Sequence, residues 1–252
     1  YSFSHDYTYD DNTAPIDDNT APTIKPTPVP TTSPAPTTSA PTATPAPTKT
    51  FAPLKTSTLR TAVSAWCSDS GSARFLYGHI SNWDTSGVDD MSYLFSRYDS
   101  DWNDVGGVYC SAYATFNEDI SDWNVSSVTS LQATFAGASS FDVDVSRWNT
   151  ERVTSLRSTF YSATSFNRNI GNWKVSRVTT LRSAFYGATS FNCKCLNEWN
   201  VSSVTSLYAT FQGAIAFQGG DLSNWNTGQV TSLANTFYGA SSFEGGNIST
   251  WD

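Results

Sequence analysis

The sequence predicts an α/β repeat solenoid over residues 83–252, preceded by an extended Thr/Pro-rich N-terminal tail. The first observation is a periodic tryptophan, which recurs every 25 or 26 residues after one longer gap of 40. The tryptophans are Trp83, Trp123, Trp148, Trp173, Trp199, Trp225 and Trp251. The second observation is that other apolar positions keep constant distances from each tryptophan. One such unit cannot bury its own apolar face, whereas a stack of units can.

Each repeat is predicted to contain a short strand and a helical turn. In the repeat around Trp148, the apolar residue Val145 precedes the tryptophan by three positions, and this apolar-x-x-Trp pattern predicts the strand. Val153, Leu156 and Phe160 follow at spacings of three and four, which predict one face of a helix. Intervening Ser and Thr predict the helix cap. A second phenylalanine follows eighteen residues after the tryptophan in five repeats, at Phe141, Phe166, Phe191, Phe217 and Phe243.

Two stretches of the repeat resemble a known family. The segment from Phe116 to Val125 reads FNEDISDWNV, and SVTSLxxTFxGASSF recurs with small changes. Both resemble the repeats of the BspA-like leucine-rich repeat surface proteins, above all their Trp-containing relatives. The resemblance covers residues 75–252, although this chain carries Leu and Thr where the relatives often carry Met. It implies a leucine-rich-repeat-like solenoid in a secreted or cell-surface setting, from a family whose members are mostly of unknown molecular function.

Two features interrupt the predicted solenoid of residues 83–252. The 40-residue gap predicts an insertion at about residues 96–114, and residues 54–82 are predicted to form the N-terminal cap and first coil. The chain stops at Trp251 and Asp252 in mid-coil, which predicts an open end. An open end favours head-to-tail stacking into a filament, unless the chain continues beyond this point.

The N-terminal region divides into two segments. Residues 1–19 are an acidic, Tyr-rich arm in which the aromatic residues alternate with polar ones, a strand pattern that would need a partner sheet edge. Its predicted partner-binding residues are Tyr1, Phe3, Tyr7 and Tyr9. Residues 20–53 are Thr/Pro-rich and are predicted to be an extended segment, either an O-glycosylated stalk or an unmodified linker. The predicted O-glycosylation sites are Thr23, Thr27, Thr31, Thr32, Thr37, Thr38, Thr42, Thr44 and Thr48.

Composition excludes several function classes. Charged residues make up 14% of the chain and the net charge is −8, which argues against a nucleic acid partner. The sequence contains no run of 18 apolar residues, so membrane insertion is not expected. No catalytic constellation, phosphate loop or zinc motif is present, so neither an enzyme nor a cofactor is expected. The chain begins at Tyr1, which favours a secreted protein whose signal peptide has been removed over an artificial start.

Four cysteines fit an oxidising compartment. Cys67 of the cap is predicted to pair with Cys110 of the insertion. Cys193 and Cys195 either bridge each other or form bonds between chains. A metal site on these cysteines is not expected, because the sequence has only two histidines and no second close cysteine pair.

Three Asn-x-Ser sequons and one acidic loop are further candidate sites. Asn124, Asn200 and Asn247 are predicted N-glycosylation sites, although the repeat itself requires Asn at this position. Asp99, Asp101 and Asn103 alternate as calcium ligands do, but the loop lacks the expected Gly and Glu. A polar surface loop is the alternative for these three residues.

Basic residues concentrate in two adjacent repeats. Stacking is predicted to place Arg152 beside Arg177 and Arg157 beside Arg182, where they would bind the acidic arm of a neighbouring copy or form a solvated face. Tyr161, Tyr186 and Tyr238 are predicted to point outward, in a row that either stacks on sugars or is ordinary packing.

Two functions follow. The first is a structural subunit of an extracellular fibre or surface coat, which self-associates through solenoid stacking and the N-terminal arm. The alternative is a cell-surface adhesin or carbohydrate-binding module on a glycosylated stalk. Polymers without sugar affinity would favour the first function, and glycan binding by a monomer would favour the second.

Overall fold

The structure, a computed structural model, describes residues 51–245 and 247–251. It contains two α-helices, α1 (Thr56–Ser68) and α2 (Ser70–Tyr77). Three short 3₁₀ helices follow, at Ile80–Asn82, Tyr113–Thr115 and Lys194–Glu198. In the described part of the chain, no helix combines the length and the apolar character that a membrane crossing requires.

Several predicted features lie outside the described residues. They are the arm of residues 1–19 with its aromatic residues, and the extended segment up to residue 50 with all nine threonines predicted to carry O-glycans.

The predicted α/β repeat solenoid, leucine-rich-repeat-like in form, is wrong. Over residues 51–245 and 247–251 no strand forms, and both α-helices precede the repeats. The stretch predicted as a helical face folds as turns. The apolar-x-x-Trp stretch predicted as a strand forms a single turn, or a 3₁₀ helix before Trp83 and Trp199. Successive repeats nevertheless lie side by side in one register, joined by single parallel bridges. The bridged residues are Asp90, Ser130, Ser155, Thr180, Ser206 and Ser232.

An alternating pattern of backbone hydrogen bonds explains why neither element forms. The N–H groups of Leu156, Ser158 and Phe160 donate to carbonyls of the next repeat, over 3.2, 2.9 and 2.8 Å. The N–H groups in between, of Thr159 and Tyr161, donate to carbonyls three residues back in their own repeat. In a helix every N–H group donates to a carbonyl of the same segment, whereas in a strand the N–H groups donate to a neighbouring strand. The repeat does both in turn, so it is a stack of turns.

A left-handed residue stands ten positions after the tryptophan in all six repeats. The φ angles there lie between 51° and 62°, at Tyr93, Ala133, Ser158, Ser183, Ala209 and Asn235. A positive φ cannot continue a right-handed helix, so this residue ends the helical segment that the apolar spacing predicts. No glycine marks the position, and the sequence therefore carries no local signal for it.

The core consists of aromatic columns that run through the stack. The two phenylalanines of a repeat stack on each other, as Phe160 and Phe166 do at 3.9 Å between ring centroids. The tryptophans form a parallel column, in which Trp148 and Trp173 are 6.3 Å apart. From Trp123 onward, each indole also donates to a carbonyl of the preceding repeat, as Trp173 does to Val145 over 3.0 Å. The periodic aromatic residues therefore both fill the core and join neighbouring repeats.

Helix α1 covers the first repeat. Arg60 pairs with Asp90 at 2.8 Å, and the ring of Trp66 lies edge-on to Trp83 at 5.9 Å. A disulfide joins Cys67, at the end of α1, to Cys110, with Cα atoms 5.1 Å apart. The disulfide ties the helical cap to the insertion.

We expect Thr159→Val to lower the free energy of unfolding by about 1–2 kcal/mol. The buried hydroxyl of Thr159 lies within 3.0 Å of the Leu131 carbonyl of the preceding repeat and 2.9 Å of the Leu156 carbonyl. Valine keeps the shape and removes the donor. Urea denaturation measures the change. The matched control is Thr154→Val, because the hydroxyl of Thr154 is exposed; an equal loss in both variants would contradict the prediction.

Candidate ligand-binding cleft

The insertion folds out of the stack without disturbing it. Phe116, which follows the insertion, stacks on Phe95 at 3.8 Å and so takes the place of the second phenylalanine in the first repeat. In the chain segment between Phe95 and Phe116, Tyr98 and Asp104 form an antiparallel bridge, which closes a short hairpin. The tip of this hairpin carries Trp102, whose backbone has a φ of 64°.

Polar contacts at its base hold the hairpin. The Asp99 carboxylate accepts the N–H groups of Asp101 and Asn103, both over 2.9 Å. Nε of Arg97 donates to Asp104 over 2.8 Å. The Asn103 side chain lowers the pKa of Asp99, and the Arg97 guanidinium lowers the pKa of Asp104, by hydrogen bonding in both cases. The two carboxylates are therefore ionised at neutral pH and are used inside the hairpin.

The predicted calcium residues lie in this same turn. Asp99 accepts hydrogen bonds from Asp101 and Asn103, so both of these residues are bonded to Asp99. Across residues 51–245 and 247–251, no group of three or more His, Cys, Asp or Glu side chains has a metal-binding arrangement. These hydrogen bonds shape the turn that carries Trp102, and calcium binding by the three residues stays a prediction.

The hairpin places Trp102 over two of the later repeats. The indole ring lies 5.4 Å from the ring of Tyr161, with the planes inclined at 59°. The guanidinium carbon of Arg157 lies 5.9 Å from the centre of the Trp102 ring. Together they form an open cleft of about 170 Å³, lined by Trp102, Arg157, Ser158, Tyr161, Arg182 and Ser183.

Stacked tyrosines extend the cleft along the surface. Tyr161 and Tyr186 are parallel at 4.6 Å, and Tyr98 meets Tyr161 edge-on at 5.7 Å. Burial raises the pKa of the Tyr161 phenol, with a smaller contribution from Tyr186. Tyr161 is therefore neutral at physiological pH, and its hydroxyl can donate a hydrogen bond.

Two arginines, Arg157 and Arg182, line the cleft. The ion pairs among the described residues involve Arg60, Arg97, Arg147 and Arg168, and include neither Arg157 nor Arg182. Nε of Arg157 is buried and has no hydrogen-bond partner in the described structure. Arg182 lies over the ring of Tyr208, at 4.8 Å. A buried, unpaired guanidinium donor costs about 1–3 kcal/mol, which an acceptor in the cleft would recover.

The four predicted arginines separate into two groups. Arg157 and Arg182 both line the cleft. Arg152 and Arg177 occupy another position of the repeat and are exposed away from it. Of the predicted tyrosine row, Tyr161 and Tyr186 stack at the cleft, while Tyr238 is exposed farther along the stack.

The sequon asparagines have a local role in the turns. Asn124 and Asn200 accept the N–H groups of Ser126 and Ser202, over 3.0 and 3.2 Å, and both are exposed. Asn247, also exposed, accepts the hydroxyl of Ser249. Turn formation thus accounts for Asn at these positions, whether or not a glycan is attached.

The remaining cysteines bridge each other within one turn. Cys193 and Cys195 form a disulfide with Cα atoms 5.1 Å apart, at the start of the 3₁₀ helix Lys194–Glu198. Among the described residues no cysteine is free.

Sequence reasoning missed the role of Trp102. The residue was visible as an aromatic side chain in a polar insertion that fills no repeat position, and this was the available signal. Trp102 contacts Arg157 and Tyr161, which lie more than fifty residues later in the sequence. These contacts depend on the direction in which the hairpin folds, which the sequence does not show.

Comparison with known proteins places the chain in a family. No curated protein and no solved structure matches it. One family model, described as "Mycoplasma protein of unknown function, DUF285", matches residues 70–195 and again residues 167–252. The two matches together span well over half of the sequence and contain the insertion, the cleft and every repeat from Trp83 onward. The chain therefore belongs to the family described as Mycoplasma protein of unknown function, DUF285.

Proposed function

We propose that this protein is an extracellular adhesion protein, secreted or held at a cell surface, whose stacked repeats present the Trp102 cleft to a carbohydrate ligand. One observation carries the proposal: Trp102 of the insertion meets Arg157 and Tyr161 of a later repeat outside the aromatic core, and leaves an open cleft that two arginines line. Large aromatic faces beside hydrogen-bonding groups are typical of ligand sites that stack on rings.

Two further observations support an extracellular setting. Both cysteine pairs form disulfides, which persist in oxidising compartments. The repeat pattern of the chain also resembles that of the BspA-like surface proteins, and we infer the same setting for it. In this proposal the protein binds rather than catalyses, and the Thr/Pro-rich residues 20–53 connect the repeats to the cell or to a neighbour.

A glycan array probed with the whole chain tests the adhesion function. We expect binding to a subset of immobilised glycans, and we expect Trp102→Ala to lose most of that signal, because the substitution removes the stacking face. Tyr238→Ala is the matched control, since Tyr238 is an exposed aromatic residue outside the cleft. Absence of glycan binding, or equal loss in both variants, would argue against the proposal.

The second candidate function is a structural subunit of a fibre or coat. The backbone N–H groups of Leu233, Asn235 and Phe237 correspond to those that join repeats elsewhere, and no described residue accepts them. One more repeat would satisfy these donors, whether it came from a second copy or from the same polypeptide. We place this function second because α1 covers the first repeat, which hinders a second copy from stacking on that repeat.

Electron microscopy of the purified whole chain separates the two functions. Filaments that disappear when residues 1–19 are deleted would support the fibre and the role of the arm. Single particles that retain glycan binding would support adhesion. Filaments that are unchanged by the deletion would argue against assembly through the arm.

A further inference from the structure

We propose that the Trp102 cleft selects an acidic sugar, a pyranose ring that carries a carboxylate or a sulfate. The inference rests on the proposed adhesion function and names its ligand class. The cleft combines three features in one small volume: an indole face, a pair of arginines without a carboxylate partner, and serine and tyrosine hydroxyls.

The size and shape of the cleft fit a single sugar ring. Its volume of about 170 Å³ is smaller than the roughly 300–1,000 Å³ of pockets for drug-sized ligands, which favours a ligand of one ring. The rings of Trp102 and Tyr161 are inclined at 59°, so they cannot sandwich a flat base or aromatic ring between parallel faces. A pyranose has an apolar C–H face that can lie on one ring, while its edge hydroxyls meet polar groups at the other.

Arg157 provides the selection for a negative charge. Its guanidinium lies against the Trp102 ring at 5.9 Å, and its buried Nε has no hydrogen-bond partner in the part of the chain described. A small rotation of the guanidinium toward the cleft would give both Nε and Nη to one acidic group, the two-pronged contact that arginine makes with planar oxyanions. Binding would therefore satisfy a donor that is unsatisfied without ligand.

Arg182 adds charge from the next repeat. It lines the same cleft and lies over Tyr208 at 4.8 Å, which keeps the side chain near the surface. The whole chain carries a net charge of −8, so its overall charge repels an acidic sugar, and binding must come from the arginines of the cleft. Specific binding of an acidic sugar should consequently depend on a few named residues.

The test is titration calorimetry of the whole chain at physiological ionic strength against four probes. The first two are a galacturonic acid oligomer and a sulfated galactose oligomer, which distinguish the two sources of charge. The third is a neutral galactose oligomer of the same length. The fourth is a synthetic peptide of residues 1–19, the acidic arm that is predicted to bind the arginines.

We expect one of the acidic oligomers to bind, and the neutral oligomer to bind at least tenfold more weakly. Arg157→Gln should weaken the affinity for the acidic oligomer about tenfold or more. Arg157→Lys should weaken it less, because lysine keeps the positive charge but lacks the planar guanidinium that donates two parallel hydrogen bonds. Arg152→Gln is the matched control, an exposed arginine in the same repeat that does not line the cleft. It should change affinity less than twofold.

The outcomes separate failure of this inference from failure of the adhesion function. Equal binding of neutral and acidic oligomers, lost in Trp102→Ala, would overturn the acidic selectivity and leave adhesion standing. No saccharide binding at all would overturn both. Binding of the peptide alone, lost in Arg157→Gln, would assign the cleft to the arm of a second copy and overturn the sugar ligand.

Discussion

Trp173→Ala is expected to lower the free energy of unfolding by about 3–5 kcal/mol. The side chain is 2% exposed and lies in the middle of the aromatic column. It stacks on Trp148 at 6.3 Å and contacts the ring of Phe160 at 5.9 Å. Alanine would remove both contacts and the indole donor that reaches Val145, and would leave a cavity between repeats. Urea denaturation followed by circular dichroism measures the loss.

Trp102→Ala is the matched control for this experiment. Trp102 is also a tryptophan with aromatic neighbours, but it lies in the hairpin outside the core cluster. We expect its stability to change by less than about 1 kcal/mol, while its ligand binding is lost. Similar destabilisation in the two variants would show that the hairpin is part of the core and would contradict the separation of scaffold and cleft.

Replacing the pair Cys67 and Cys110 by alanine is expected to destabilise the protein by about 4 kcal/mol. The two cysteines are 43 residues apart, and closing a loop of that length removes about this much chain entropy from the unfolded state. The bond also joins α1 to the insertion, so its loss should loosen the hairpin that carries Trp102. Thermal unfolding and ligand affinity, measured on the same variant, should both decrease.

The Cys193 and Cys195 pair offers the control within the same chain. These cysteines are two residues apart, and so small a loop gives a stabilisation below about 2 kcal/mol by the same relation. Alanine at both positions should therefore have the smaller effect on unfolding and none on the cleft. A larger loss in this variant than in the long-range pair would contradict the loop-entropy explanation.

The recurring apolar positions could be read from the sequence because burial depends mainly on side-chain chemistry. Residues spaced at fixed distances from each tryptophan, such as Leu156, Phe160 and Phe166, are buried in the structure. An Asp or Asn stands four residues before most of the tryptophans, and it also follows local chemistry, since Asp119 and Asp144 each accept the N–H of the residue two positions later. Their pKa values are lowered mainly by hydrogen bonds from the following serine.

The backbone conformation of the repeat could not be read in the same way. Spacings of three and four are shared by a helix face and by the succession of turns that this chain forms. The choice between them depends on Ser158 and its equivalents, which take a left-handed conformation without being glycine. Contact with the next repeat stabilises that conformation, because Ser158 then donates its N–H to Arg182 over 2.9 Å.

The sequence by itself determined the period of the repeat, the residues of the aromatic core and the position of the insertion. Only the tertiary structure decided that the described repeats contain neither strands nor α-helices, and that Trp102 lies against Arg157 and Tyr161. The physical reason is the same in both cases. Burial and turn chemistry are properties of single residues and their near neighbours, whereas hydrogen bonds between repeats and the direction of a hairpin exist only after distant segments of the chain have met.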